Sequence, residues 1–300
     1  LRRIIMKKVG FIGLGNMGAK MVTHLLKANY EVIGYDVNEK FVDQLLSKGL
    51  RKASDLKDIS QSTDIIITML PNGTIVEQVF DDIADNLKPG TLFTDCSTID
   101  VDKARELYSK CNNKGLLYLD APVSGGVGGA EDGTLTFMVG GTADAYNVML
   151  PLFEIMGKKS LLCGSSGSGQ ATKACNNMLL ATTMIGVGEA FNLGTNLGLD
   201  PKKLFEILST STGSCWAINS YCPIEGVGPI GPADNDFQPG FSVDLMHKDL
   251  SIALKAIERT GTSASFGKKA QENFKKMVDY KKGSLDFSAI TIFNRQSHLK

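Results

Sequence analysis

Three hundred residues are enough for two domains with a sizeable core. With 43% hydrophobic and 21% charged residues, the composition excludes a disordered chain. The 32 basic and 32 acidic residues cancel, so no nucleic-acid or membrane surface is expected, although one local cation suffices for a small anionic substrate.

Six cysteines without a CxxC pair, and only three histidines, assemble no metal-ligand spacing. No metal is expected, and the thiols read as reduced and mostly buried. No apolar run approaches the roughly 20 residues of a membrane span. Leu1–Ile5 is basic and acid-free ahead of Met6. It reads either as the tail of an organelle presequence or as an alternative start.

In chain order, residues 7–12 predict a buried strand that runs into a glycine-rich turn. Met17, Met21, Val22, Leu25 and Leu26 then give the spacing of a helix over 17–28. The alternation continues with strand 30–36, helix 38–48, strand 64–70, helix 74–86, strand 91–95, helix 100–113 and strand 116–120. Strand 135–140, helix 143–156 and strand 159–163 extend it. Strands alternating with helices predict βαβ units in a doubly wound parallel sheet of Rossmann type. At Gly164–Gly169 a flexible hinge is expected, after which no strand pattern follows. One long helix is read over 168–197, with shorter ones at 201–210, 244–260 and 264–280. The Gly/Pro-rich stretch 212–243 holds the only tryptophan, Trp216, and reads as a functional loop or lid. The expected architecture is an α/β dinucleotide-binding domain over 1–165 and an all-helical substrate and dimerisation domain over 166–300.

Gly13-Leu14-Gly15-Asn16-Met17-Gly18 fits G-x-G-x-x-G between a predicted strand and a predicted helix. Gly13 permits the turn, Gly15 admits a pyrophosphate to the backbone, and Gly18 allows close packing of helix on strand. The phosphates are expected on the N–H groups of the helix start. Asp36 lies 23 residues after Gly13, at the end of the second strand, where a carboxylate accepts from ribose hydroxyls. It would repel a 2′-phosphate, so NAD is expected over NADP. Leu70-Pro71 and Ser97-Thr98 lie just past two further strand ends, where ligand contact and ordinary connection chemistry are equally compatible with the spacing.

The segment Ala121-Pro-Val-Ser124-Gly125-Gly126-Val-Gly-Gly129 follows another strand end, and its bare backbone and one hydroxyl suit an anion. On the long helix, Lys173 and Asn177 are four apart and share a face with Gly169 and Ala181. A lysine amine beside a hydroxyl-bearing carbon takes the alcohol proton as hydride leaves, or returns it in reduction.

Taken together, Gly13–Gly18, Ala121–Gly129, Gly133–Gly141, Gly169–Asn177, Cys215-Trp216, Lys248-Asp249-Leu250 and Asp286-Phe287-Ser288 resemble the β-hydroxyacid dehydrogenase family over nearly the whole chain. The resemblance implies Lys173 as general acid/base and Asn177 as its orienting partner or that of the substrate. It implies Ser124 with the N–H groups of Gly125 and Gly126 as the carboxylate site. It also implies cofactor contacts from Leu70, Pro71, Thr98 and Lys248, and a homodimer or homotetramer. The implied reaction is NAD-dependent oxidation of 3-hydroxyisobutyrate to methylmalonate semialdehyde, in the mitochondrial matrix of a eukaryote or the cytoplasm of a bacterium. Sibling reductases of tartronate semialdehyde, glyoxylate or succinate semialdehyde, and a non-catalytic nucleotide binder, are the rival readings. Three positions depart from the family pattern. Ser214 stands where arginine is usual, Cys222 where asparagine is, and His247 where alanine is. His247 is given no catalytic role, since neighbouring helix residues point apart from Lys248.

Overall fold

The computed structural model describes residues 8–297, so the presequence reading of Leu1–Ile5 lies outside the described residues. The chain divides into two compact units, Leu1–Lys173 and Ala174–Lys300.

The first unit runs β1 (Val9–Ile12), α1 (Gly18–Lys27), β2 (Val32–Tyr35), α2 (Glu39–Leu46), β3 (Arg51–Lys52), α3 (Leu56–Ser62), β4 (Ile65–Thr68) and α4 (Gly73–Ile83). It continues with β5 (Leu92–Asp95), α5 (Val101–Asn113), β6 (Leu117–Asp120), β7 (Val123–Ser124), α6 (Gly126–Glu131), β8 (Leu135–Gly141), α7 (Ala143–Met156), β9 (Gly157–Gly164) and the first turns of α8 (Ser168–Asn196). The strands lie in the order β3-β2-β1-β4-β5-β6-β8-β7, with β9 also pairing β8. Strands β1 to β6 are parallel, and all but β3 are the largely buried runs that a sheet covered on both faces requires. The two-residue period divides their side chains between two cores. Phe11, Ile65, Ile67 and Leu119 enter one, while Ile12, Ile66, Phe93 and Tyr118 enter the other.

Three features differ from expectation. Arg51–Lys52 forms a short parallel edge strand followed by α3, where no element is read from sequence. Two exposed charged residues carry no strand pattern, and they suit an edge that must not recruit another chain. The sheet is also not wholly parallel. Strand β8 runs antiparallel to β6 and β7, because the connection from β6 is a tight β7–α6 return rather than a full crossover helix. The glycine-rich stretch before α8 is a hydrogen-bonded turn rather than a free hinge. Its Gly167 N–H donates to Asp120 Oδ1 at 2.7 Å, and Ser168 N–H to Ser165 O at 3.0 Å.

Helix starts in this unit separate into two kinds. Asn38, Asp55, Asn72, Asp100 and Thr142 each accept a backbone N–H from the first turn of α2, α3, α4, α5 and α7. Helices α1 and α6 begin without a side-chain cap. Each follows a glycine-rich segment singled out from sequence.

The second unit holds the rest of α8, then α9 (Pro201–Leu208), α10 (Trp216–Asn219), α11 (Val243–Thr260), α12 (Ser265–Asp279) and α13 (Ile290–Ser297). Met184, Phe191, Met246, Leu250, Phe274 and Phe287 are buried together in its core. The stretch 212–243 is fastened down rather than free. Asp286, fully buried, accepts from Tyr221 OH, the N–H groups of Gly240 and Phe241, and both N–H and Oγ–H of Ser288. Trp216 stacks on Tyr221 at 4.9 Å, and Tyr221 on Phe287 at 5.5 Å.

Candidate active site

At the end of β1 the backbone turns at Gly13 with φ +95°, and a Cβ there would lie 2.3 Å from Met69 O. A Cβ at Gly18 would lie 1.9 Å from Gly13 O, so only glycine lets α1 start this close to the strand. Gly15 is different, since a Cβ there would meet nothing within 4 Å. Leu14 is buried in the sheet core, Asn16 is exposed, and Met17 occupies the uncapped position ahead of α1. The half-buried Asp36, just past β2, accepts Leu14 N–H at 2.7 Å and Asn38 N–H at 2.8 Å. An uncapped helix start, a backbone open at Gly15 and a carboxylate fixed against the same turn fit the pyrophosphate and ribose of a dinucleotide.

The loops after β4 and β5 are joined to each other. Leu70 N–H donates to Ser97 Oγ at 2.8 Å, which sets Leu70, Pro71 and Thr98 along neighbouring strand ends. Pro71 is exposed and Leu70 and Thr98 are half-buried.

Behind these loops lies a buried polar cluster that the sequence reading misses. Asp95 and Asp120 end β5 and β6 in register with each other. Asp95 Oδ1 accepts from Thr68 Oγ1 at 2.8 Å and Ser97 N–H at 3.0 Å. Burial pushes its carboxyl up to about 6, with the charge of Asp120 adding to the shift. Asp120 is likewise pushed up to about 6 by burial, against the backbone N–H groups of Gly167 and Gln170 that favour its anion. A Cβ at Gly140 or Gly169 would come within 2.8 Å of the Asp120 carboxylate, so both glycines leave room for it. The available signal was an aspartate closing each of two adjacent apolar strands.

Lys173 is buried, 7% exposed, and its Nζ donates to Val123 O at 2.8 Å. Val123 immediately precedes Ser124, so the amine sits against the Ser124-Gly125-Gly126 stretch. Gly125 and Gly126 have φ of +131° and +62°, which turn β7 directly into α6. The segment is therefore a built strand-to-helix corner.

Asn177 and Lys248 lie in the second unit. Asn177 is buried, donating from Nδ2 to Asp249 Oδ2 at 2.6 Å and accepting from Asn176 Nδ2 at 2.9 Å. Lys248 on α11 has its Nζ 3.6 Å from Asp249 Oδ1. His247 contacts Gln271 Nε2 at 3.2 Å, and burial pushes its imidazole down from its ordinary value. Ser214 Oγ accepts from Asn219 Nδ2 at 2.9 Å. Of the six cysteines, Cys96, Cys111 and Cys222 are buried, Cys163 and Cys215 are half-buried and Cys175 is exposed.

This sheet and its glycine turn define a dinucleotide-binding dehydrogenase, and comparison with known proteins narrows the class. Residues 8–164 match the NAD binding domain of 6-phosphogluconate dehydrogenase, and residues 167–293 match the NAD-binding domain of NADP-dependent 3-hydroxyisobutyrate dehydrogenase. The mitochondrial 3-hydroxyisobutyrate dehydrogenase of Drosophila melanogaster is 44% identical over 285 residues, covering 95% of this chain and 88% of the relative. The NAD-dependent L-serine dehydrogenase of Pseudomonas aeruginosa is 42% identical, covering 95% and 97%. The structure of Mycobacterium tuberculosis 3-hydroxyisobutyrate dehydrogenase with L-serine superposes with a TM-score of 0.93 at 42% identity, covering 97% of this chain and all of that one. The chain belongs to the 3-hydroxyisobutyrate dehydrogenase family of β-hydroxyacid dehydrogenases, oxidoreductases that use NAD.

Proposed function

We propose that the chain oxidises (S)-3-hydroxyisobutyrate to methylmalonate semialdehyde with NAD, the alcohol-oxidation step of valine breakdown, and that Lys173 moves the proton. The observation that carries this reading is the buried Lys173 amine, held 2.8 Å from Val123 O beside Ser124. Ser124 Oγ and the N–H groups of Gly125 and Gly126 are the donors proposed for the substrate carboxylate, which would set the hydroxyl carbon next to the amine. Bound NAD supplies the hydride acceptor. Lys173, as the neutral amine, takes the hydroxyl proton in oxidation and returns it in the reverse direction. Positioning by this corner, rather than unusual side-chain chemistry, supplies much of the acceleration.

L-serine is the second reading, favoured by the 42% identical L-serine dehydrogenase and by the L-serine named in the superposed structure. Both substrates present a carboxylate and a β-hydroxyl to the same donors. Initial rates of NADH formation with 3-hydroxyisobutyrate and L-serine, and of NADH consumption with tartronate semialdehyde, glyoxylate and succinate semialdehyde, separate the alternatives. The highest kcat/KM is expected for 3-hydroxyisobutyrate, and a higher value for any other acid replaces this substrate assignment. The exposed apolar side chains Leu179, Leu193 and Leu197 on and just after α8 support a homodimer or homotetramer, which light scattering would measure.

A further inference from the structure

We infer that Gln170 is a positioning residue. It ties the loop after β5 to the first turn of α8 and so fixes the Lys173 amine. This inference rests on the reading of Lys173 as the proton-transfer group.

Gln170 is 1% exposed, and three of its groups are committed. Its Oε1 accepts Ile99 N–H at 3.1 Å, its Nε2 donates to Ser97 O at 2.8 Å, and its backbone N–H donates to Asp120 Oδ2 at 2.9 Å. The side-chain amide thus grips the loop on both sides of Thr98, while Asp120 holds the start of the helix through Gly167 and Gln170. Ser97 continues the chain to Leu70 through its Oγ. Hydrogen bonds therefore run across the ends of three adjacent strands, β4, β5 and β6, and converge on one turn of α8.

Lys173 lies three residues beyond Gln170, one turn along the same face. Its amine reaches back to Val123, three residues beyond Asp120. The helix is consequently fixed at two heights, by Gln170 and Asp120 at its start and by the lysine one turn later. If the lower tie is removed, the first turn can shift against the loops, and a displacement near 1 Å at a reacting group is enough for a loss of roughly 100-fold.

The test compares Gln170→Met and Gln170→Glu in the full-length protein, each alone and with Lys173→Ala. Methionine keeps the volume and loses both side-chain bonds, and a drop in kcat of roughly 10- to 100-fold is expected. In the Lys173→Ala background the same change is expected to lower the residual kcat less than about 3-fold, since a residue acting through the amine has nothing left to position. Gln170→Glu adds a readout that a purely structural role would not move. As a neutral acid, glutamate accepts from Ile99 and donates to Ser97 O, and as an anion it cannot donate. Its kcat relative to wild type should therefore rise as pH falls from 8 to 6. Near-normal turnover of Gln170→Met, a loss of equal size with and without Lys173, or a flat Gln170→Glu ratio overturns the inference. Near-normal turnover of Lys173→Ala alone overturns the proton-transfer reading beneath it, a separate and separately visible failure.

Discussion

Asp36 and Asp120 close β2 and β6 of one sheet, and each accepts two backbone N–H groups. Their surroundings separate them. Asp36 is half-buried beside a turn whose Gly15 has no neighbour within reach of a side chain, whereas Asp120 is fully buried beneath Gly140 and Gly169. The first carboxylate is left partly exposed, as the proposed ribose contact requires, and the second is consumed in holding a helix. A strand-end aspartate is therefore a binding group or a structural one according to whether backbone closes over it. Residue type is the same in both, but Asp120 is the last residue of β6 while Asp36 lies one residue past β2.

The largest effect is expected where the buried side of this comparison meets chemistry. Lys173→Ala should lower kcat by roughly 10²–10⁴-fold, the range for loss of a general acid/base, while the dissociation constant for NAD changes little. Steady-state rates with a fluorescence titration of the cofactor read both quantities. Retained turnover would mean that the Asp120-anchored helix presents a structural lysine, and the distinction between the two strand ends would lose its functional half.

The next effect falls on stability. The Asp95 carboxyl titrates at about 6 in the fold and at 3.8 when unperturbed, through burial first. Between those values the folded state binds more protons than the unfolded chain, so this group's contribution to stability falls as pH rises through the window and stays low above it. Asparagine keeps the oxygen that accepts from Thr68 and Ser97 and removes the charge. Asp95→Asn should thus gain stability over wild type by on the order of 3 kcal/mol above pH 6, with the gain vanishing toward pH 4. Denaturant midpoints at pH 4, 6 and 8 measure it. A pH-independent difference would mean that burial does not govern this carboxylate.

The same contrast explains what the sequence made legible. Gly13, Gly15, Gly18 and Asp36 could be singled out because the reading of each rests on local spacing around one turn, with a strand before and a helix after. Lys173 was singled out by its helix face and by the resemblance. Asp95, Asp120 and Gln170 were not, because their partners lie 27, 47, 50, 71 and 73 residues away and no spacing rule joins them. Asp286 was quoted only as part of a family motif, and its anchoring role escaped for the same reason, its partners Tyr221 and Gly240 lying 65 and 46 residues off. The reversal of β8 was hidden because the β7–α6 corner is rich in glycine and reads as a turn. Apolar periodicity fixes which faces are buried, and it says nothing of which polar groups meet beneath them.

The smallest expected change tests the open end of the comparison. Asp36→Asn keeps an acceptor for the Leu14 or Asn38 N–H but removes the charge proposed to meet the ribose hydroxyls. Since a hydrogen bond to a charged group contributes about 1.5–3 kcal/mol, kcat/KM with NAD should fall roughly 10- to 100-fold. Use of NADP should not fall with it, because a carboxylate at the proposed ribose position repels a 2′-phosphate. NADP is nonetheless not expected to overtake NAD. Val37, 90% exposed, and Asn38 follow directly and carry no cation to receive the phosphate. Paired kcat/KM values for the two cofactors decide the point, and an unchanged NAD:NADP ratio would move the discrimination away from Asp36 altogether.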